Sequence, residues 1–186
     1  MVRIARLRLF IVPVVASATL ALGAGCGNDG GSSQPPGPTA TTAQGPTTAA
    51  SGPITAACPL VDVATVASTF KVQSPQAKEN EPVKTGPATA YSCDFADGGE
   101  TFVTVGVVVG PASGTVEANV RAALSNAVGE PVSGIGDGGA YAETGGVGTA
   151  AGVKKVGSEY RLVFAHGAAG NKEQIVAMAR EVATKV

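Results

Sequence analysis

A low-complexity stretch near the N-terminus limits most strongly what this chain can fold into. Residues 27–57 read GNDGGSSQPPGPTATTAQGPTTAASGPITAA, which is built almost entirely from Gly, Pro, Ser, Thr and Ala. A segment with so little bulky apolar surface cannot offset the conformational entropy lost on ordering, so we expect residues 26–57 to form a disordered tether. The sequence therefore predicts one folded domain over residues 58–186, which is an ordinary length for a single domain.

The residues before this tether have the features of a secretory signal peptide. Arg3, Arg6 and Arg8 make the start positive, and residues 9–25 are uncharged and mostly apolar, with small residues at the end. A positive start, a short apolar stretch and a small-residue exit are typical of such peptides. The apolar stretch is shorter than the ~20 residues that a spanning helix needs. We predict a lipoprotein signal peptide over residues 1–25, and a retained anchor helix is the alternative.

Residues 22–26, Leu-Gly-Ala-Gly-Cys, resemble a bacterial lipobox. In lipoproteins of that kind, the Cys sulfur receives a diacylglyceryl group and cleavage makes this Cys the new N-terminus. The resemblance implies that Cys26 is the lipidation site, although Gly23 stands where the pattern prefers a branched aliphatic residue. Because two or three acyl chains give stable membrane anchoring, we expect the protein to be held at the extracytoplasmic face of the cell membrane.

The sequence contains three Cys residues and one His. If Cys26 is acylated, Cys58 and Cys93 remain, and an even remainder in an exported protein favours a disulfide. The alternative is that both are small buried thiols. Two thiols and a distant His166 are too few ligands for a typical zinc site, so we expect no metal and no cofactor.

The charge balance and the residue pattern argue against nucleic-acid binding and catalysis. The chain has 13 basic and 14 acidic residues, so it lacks the basic field that recruits nucleic acid. We place His166 in a solvent-exposed loop at a strand end, and no Ser lies in a G-x-S-x-G elbow. Paired acids such as Asp94, Asp97 and Glu100 leave glycoside chemistry open as an alternative. We expect a protein that is not an enzyme.

Hydrophobic periodicity predicts the order of elements in residues 58–186. Asp62 can cap a first helix, a second helix begins near Val116, and a third helix carries an apolar stripe after Asn171 and Gln174, which have capping-box spacing. Residues 78–87 are predicted as a loop. Strands are predicted at 91–95, 101–109, 140–143, 150–156 and 160–165, the last two joined by a two-residue turn. This order predicts an α+β fold, a mostly antiparallel sheet packed by two to three helices.

Residues 134–139, GIGDGG, match the pattern G-x-G-x-x-G. A dinucleotide site needs this motif between a strand and the start of a helix. Here the motif follows a predicted helix and leads into a strand, so we interpret it as a turn that its glycines permit. Asp137 is expected to bond nearby backbone amides.

Three segments together resemble a known protein family. They are Cys58-Pro-Leu60-Val61-Asp62, then Tyr91-Ser92-Cys93-Asp94-Phe95, and then the glycine motif running into Ala140-Tyr141. The set resembles small actinobacterial cell-envelope lipoproteins that share a domain of unknown function. The resemblance supports the Cys58–Cys93 pairing and an envelope role, and it implies no enzymatic activity.

These features predict a lipid-anchored lipoprotein that acts as a non-catalytic binding, sensor or interaction module of the cell envelope. We expect a monomer that contacts the membrane through its N-terminal lipid. Its partner would be an envelope protein, a wall polymer or a small ligand. The alternative is a carrier that moves a lipid or another lipophilic ligand between membrane and cell wall.

Overall fold

An eight-stranded antiparallel sheet organises the part of the chain that the computed structural model describes, residues 52–168 and 171–186. The strands lie in the order β1-β3-β4-β8-β7-β6-β5, and β2 pairs with a second stretch of β3. Three helices pack on the sheet, which confirms the predicted α+β fold. The helices are α1 (Val63–Phe70), α2 (Val116–Ala123) and α3 (Lys172–Lys185); the strands are β1 (Gln76–Glu79), β2 (Val83–Thr85), β3 (Ala88–Asp97), β4 (Glu100–Pro111), β5 (Glu130–Pro131), β6 (Gly138–Thr144), β7 (Val147–Val156) and β8 (Glu159–Ala168).

The two faces of the sheet are covered by different helices. Val163 and Ala165 of β8 belong to the main core, together with buried residues of α1 and α3. Leu162 and Phe164 of the same strand instead pack in a second cluster with Val120 and Leu124 from α2 and its C-terminal cap. Since successive side chains of a strand point to opposite faces, the sheet has an α3 face and an α2 face.

The main core depends on two strongly patterned segments. Val103, Val105 and Val107 alternate along β4 and are buried on the α3 face, where β-branched side chains suit a strand. The predicted stripe of α3 is confirmed, because its members are all buried: Ile175, Met178, Ala179, Val182 and Val186. Full burial of one such aliphatic side chain contributes about 1.5–3 kcal/mol.

None of the described helices is long and apolar enough to cross a membrane.

The end of α3 is fastened to β7 by a lysine. The Nζ atom of Lys154 donates hydrogen bonds to the backbone carbonyls of Ala183 and Val186. These carbonyls have no partner within the helix, so a cation there satisfies them and complements the helix dipole. At the other end, Asn171 occupies the predicted capping position, but its side chain makes no capping hydrogen bond.

The predicted loop at residues 78–87 is wrong, because it contains the end of β1 and all of β2. Both strands are exposed along their whole length. They lie at the edge of the sheet, and β3 is their pairing partner among the described strands. A strand that buries neither face shows no alternation of apolar and polar residues, so periodicity could not reveal it.

The helix α2 is ended by two residues in the left-handed conformation. Its last residue is Ala123, and Ser125 and Asn126 then adopt left-handed φ values of 55° and 63°. The Ser125 amide donates to the Ala122 carbonyl, and the Asn126 amide donates to the Arg121 carbonyl. These bonds close the helix end and turn the chain toward β5.

The segment before α1 is part of the packed region. Ala57 is fully buried and Ile54 packs against the main core, so packing extends upstream of the predicted boundary at Cys58. The carbonyl of Gly52 accepts a hydrogen bond from Arg161. The predicted signal peptide, Cys26 and most of the predicted tether lie outside the described residues.

Candidate functional site

An apolar cleft of about 380 Å³ lies between α2 and the β5–β6 edge of the sheet. Its walls include Val116 and Val120 of α2, Leu124 directly after α2, and Ala127, Val128 and Ala140. Val128 stands at its lip with 90% of its surface exposed. A concave, mostly apolar cavity of about 300–1,000 Å³ with a few polar groups is typical of small-molecule sites.

The helix α2 supplies this wall because it is amphipathic and short. Thr115 caps it by accepting a hydrogen bond from the Ala118 amide at 3.2 Å. Val120 and Leu124 pack down onto the sheet, and Glu117 and Arg121 are the charged residues that line the cleft. Both are exposed. Among the described residues, the Arg121 guanidinium makes no hydrogen bond or ion pair, so it remains open to an anionic group.

Two glycines leave space at the base of the cleft. A Cβ atom on Gly138 would lie 2.8 Å from Val116, and one on Gly129 would meet Leu124 and Ala140. Either methyl group would occupy space beside α2 that is now open or would push the helix outward. The absence of these side chains is therefore part of how the sequence makes a cavity here.

The two cysteines of the predicted pair form a disulfide, with a Cα–Cα distance of 4.9 Å between Cys58 and Cys93. Glu79 is close to both sulfurs, and the three groups lie within 4.8 Å of one another. The carboxylate of Glu79 accepts hydrogen bonds from the amides of Ala57 and Cys58. Since the sulfurs are bonded to each other and the carboxylate is engaged, this cluster fastens the fold.

The predicted position of His166 in an exposed loop is wrong. His166 lies within β8, half-buried, and its ring is nearly parallel to that of Phe164, with 5.9 Å between the ring centroids. Burial lowers the pKa of His166, and the nearby Asp94 carboxylate opposes this shift. The imidazole is therefore neutral at neutral pH.

Of the three acidic residues considered for glycoside chemistry, one lies on a face of the sheet and two lie at a turn. Asp94 lies on the sheet face, where its carboxylate accepts a 2.6 Å hydrogen bond from the hydroxyl of Thr104. Asp97 and Glu100 face each other across the β3–β4 turn and are exposed. Exposed acids at a hairpin end are usually solvated.

A polar cluster at the start of α3 was not recognised in the sequence. Lys172 lies 5.6 Å from the centre of the Tyr141 ring and 2.6 Å from a carboxylate oxygen of Glu130. Tyr141 donates a 2.8 Å hydrogen bond to Glu143. Burial, and then this carboxylate, raise the pKa of Tyr141 to about 12. The cluster closes the sheet edge against α3.

The glycine motif forms a turn that crosses β7. Ile135 is fully buried in the main core, and Gly152 lies directly beneath it, where a Cβ would collide with Ile135. Gly136 has a φ of 64° and pairs with Val153. Asp137 accepts a hydrogen bond from the Lys155 amide, as expected of a backbone contact, although Lys155 is distant in sequence.

The comparisons with known proteins assign no family to this chain. No protein-family model matches the chain, and no curated protein matches it. Among solved structures, the chain is similar in part to the extracellular domain of PknH from Mycobacterium tuberculosis, with 12% sequence identity and a TM-score of 0.32. The similarity covers 69% of this chain and 94% of that domain. A TM-score of this size assigns neither a family nor a function.

Proposed function

We propose that this protein is a lipid-anchored, extracytoplasmic, non-catalytic binding module of the cell envelope, and that it binds a small amphipathic ligand in the cleft beside α2. The signal peptide and Cys26 would provide export and anchoring. The disulfide fits an oxidising compartment. The observation that carries the binding role is the cleft itself, with its aliphatic walls and the charged side chains of α2.

The size of the cleft limits its ligand. About 380 Å³ is near the lower end of small-molecule sites. The aliphatic wall suits a short hydrocarbon chain, and Arg121 offers a charge-assisted hydrogen bond to a carboxylate or phosphate at one end. A single-chain anionic amphiphile therefore matches the shape and chemistry of this cavity.

Because the sequence contains no Trp, a single introduced Trp can report occupancy of the cleft. We would place it at Val128, at the lip of the cleft, and place the control at Val83, which is 59% exposed on β2. Dodecanoate should change the fluorescence of the Val128→Trp protein saturably and leave the Val83→Trp protein unchanged. An identical response from both proteins, or from neither below the micelle concentration, would refute the proposed site.

A matched pair of larger side chains tests whether the cavity is required. Ala127 lines the cleft, whereas Ala122 is exposed on α2 and does not line it. Ala127→Phe should abolish the dodecanoate signal of the Val128→Trp protein, and Ala122→Phe should preserve it. Equal binding in the two variants would show that the ligand binds elsewhere.

The aliphatic lining of the cleft also favours the second candidate, a carrier of a lipophilic ligand. A carrier must release its ligand to a membrane as well as bind it. We would load the protein with a fluorescent single-chain lipid and mix it with phosphatidylglycerol vesicles. Transfer at a rate proportional to protein concentration supports a carrier, and retention on the protein supports a sensor or interaction module.

A further inference from the structure

A row of polar side chains crosses the α2 face of the sheet, away from the cleft. Asp94 of β3 pairs with Thr104 of β4, Thr104 pairs with His166 of β8, and His166 pairs with Thr149 of β7. Cross-strand partners share a face, so these four side chains form one line, which spans about 14 Å at ordinary strand spacing. We call this line the polar row.

The polar row is half-buried along its whole length. The cluster packed under α2 reaches Phe164 but does not include His166 or the other members of the row. In the described part of the chain, α2 thus covers the neighbouring positions and leaves the polar row accessible.

An aromatic surface lies beside the row. The rings of Phe164 and His166 are tilted by only 7° relative to each other. Gly106, the partner of Phe164 on β4, has no Cβ, and a methyl group there would collide with the Phe164 ring. The glycine therefore lets the Phe164 ring lie close to the sheet, next to the polar row.

A second cleft of about 380 Å³ opens beside Thr104 and His166, the two middle members of the polar row. The register shift between Phe95 and Ala96 places Thr101 opposite Ala96. Because Ala96 shares the face of Asp94, Thr101 joins Thr104 and His166 on this face, as bulges often re-aim a side chain. All three of these residues line the cleft, together with Glu100 and Phe102.

The charge of this region selects against anions. Glu100 is the charged residue that lines the cleft, and no Lys or Arg is among the lining residues. Asp94 lies in the polar row next to Thr104, which also lines the cleft. Burial keeps His166 neutral, since it lowers the pKa of the imidazole. Carboxylates and hydroxyls accept hydrogen bonds, so the preferred ligand is a neutral molecule with many hydroxyl donors.

We propose that the polar row, with the adjoining cleft and aromatic rings, is a binding site for a neutral saccharide. Sugar hydroxyls would donate to Asp94 and Glu100 and exchange hydrogen bonds with the threonine hydroxyls. The C–H face of the sugar ring would pack on His166, which lines the cleft. This site lies on strands away from the α2 cleft, so it neither requires nor excludes the ligand proposed there.

The test uses the full chain and isosteric substitutions that suit a strand. Thr104→Val and Thr149→Val each remove one hydroxyl of the row, and Thr85→Val removes a hydroxyl from the exposed edge strand β2 as the matched control. Binding would be measured by ligand-observed NMR with chito-, manno- and arabino-oligosaccharides. Heparin and choline serve as anionic and cationic counter-probes.

We expect at least one neutral oligosaccharide to bind, with tenfold or greater loss of affinity in both row variants and no change in Thr85→Val. The proposal is overturned if no neutral oligosaccharide binds at millimolar concentration, or if binding is unchanged in both row variants. A preference for heparin or choline over every neutral sugar would also overturn it. Thermal unfolding of each variant is the control that separates a loss of affinity from a loss of the folded state.

Discussion

Glu79 lies directly opposite Cys93 in the β1–β3 pairing. From that position its carboxylate accepts hydrogen bonds from the amides of Ala57 and Cys58, at 2.8 Å and 2.7 Å. The disulfide joins Cys58 to Cys93 beside these contacts. One covalent bond and two charge-assisted hydrogen bonds therefore hold the N-terminal segment against the edge of the sheet.

Removing the disulfide should lower the free energy of unfolding by ~3–4 kcal/mol in the chain-entropy model, since the cysteines are 35 residues apart. The change is the double variant Cys58→Ser/Cys93→Ser, and the measurement is urea unfolding followed by circular dichroism. Chemical reduction of the unmodified protein is the control and should give a similar loss. A loss below ~1 kcal/mol would mean that the neighbouring contacts alone close this loop.

Replacing Glu79 by Ala should destabilise the oxidised protein by ~1–2 kcal/mol, because two amides lose a charged acceptor and water replaces it only in part. The matched control is Glu81→Ala, since Glu81 is exposed in the segment between β1 and β2. Urea unfolding of both variants gives the comparison. Equal stability of the two would show that the Glu79 hydrogen bonds do not contribute to folding.

Gly136 and Gly145 form a matched pair for the glycine motif. Their φ values are 64° and 61°, so alanine is strained to a similar degree at either position. A Cβ on Gly136 would collide with the backbone of Val153, whereas one on Gly145 meets nothing within 4 Å. Gly136→Ala should therefore lower the melting temperature clearly more than Gly145→Ala. Equal decreases would mean that the chain near Gly136 shifts freely.

The half-buried position of His166 predicts that stability falls as the pH falls. Its pKa in the folded state lies below the ordinary value of 6.5, so the unfolded chain binds a proton first. The free energy of unfolding should decrease as the pH falls from about 6.5 toward the folded-state pKa. His166 is the single histidine of the sequence, so His166→Gln should flatten this part of the profile. If the pH dependence of the free energy of unfolding were the same in His166→Gln, His166 would not be its cause.

The raised pKa of Tyr141 predicts that stability also falls at high pH. Its pKa is raised to about 12 from 10, so the folded state keeps the phenol proton after the unfolded state has lost it. Stability should therefore fall as the pH rises from about 10 to 12. Tyr141→Phe should reduce this fall, whereas Tyr91→Phe is the control for a tyrosine elsewhere. Spectrophotometric titration at 295 nm would detect the late ionisation directly.

The predicted lipidation is tested at Cys26. Cys26→Ala should abolish acylation and leave the protein either as a precursor or in the soluble fraction, with unchanged thermal unfolding of the packed region. Metabolic labelling with alkynyl palmitate and membrane fractionation measure this. Membrane retention and labelling equal to those of the unmodified chain would refute the lipobox assignment.

The segments that could be predicted from the sequence are those with a strong local pattern of apolar residues. The alternating valines of β4 and the apolar stripe of α3 were recognisable because one face of each is buried. The strand β2 was missed because it buries neither face. His166 was misplaced because the Gly167 that follows resembled a strand end, whereas β8 continues to Ala168 in pairing with β7.

The candidate sites could not be predicted because they depend on register. Asp94, Thr104, His166 and Thr149 are scattered along the sequence and become neighbours only through three strand pairings. The cleft beside α2 depends in the same way on where that helix ends and on which glycines lie beneath it. Neither arrangement leaves a local signature in the chain.

The disulfide also decides how a pulling force would pass through this molecule. A pull on the chain N-terminal to Cys58 reaches β3 through the sulfur–sulfur bond. The helix α1 and the edge strands β1 and β2 lie between the two cysteines in sequence, so the covalent path bypasses them while the bond is intact. β3 is held in turn by its long pairing with β4. Tension would therefore be resisted by the covalent linkage and by the β3–β4 hairpin, and reduction of the disulfide would transfer it to α1, β1 and β2.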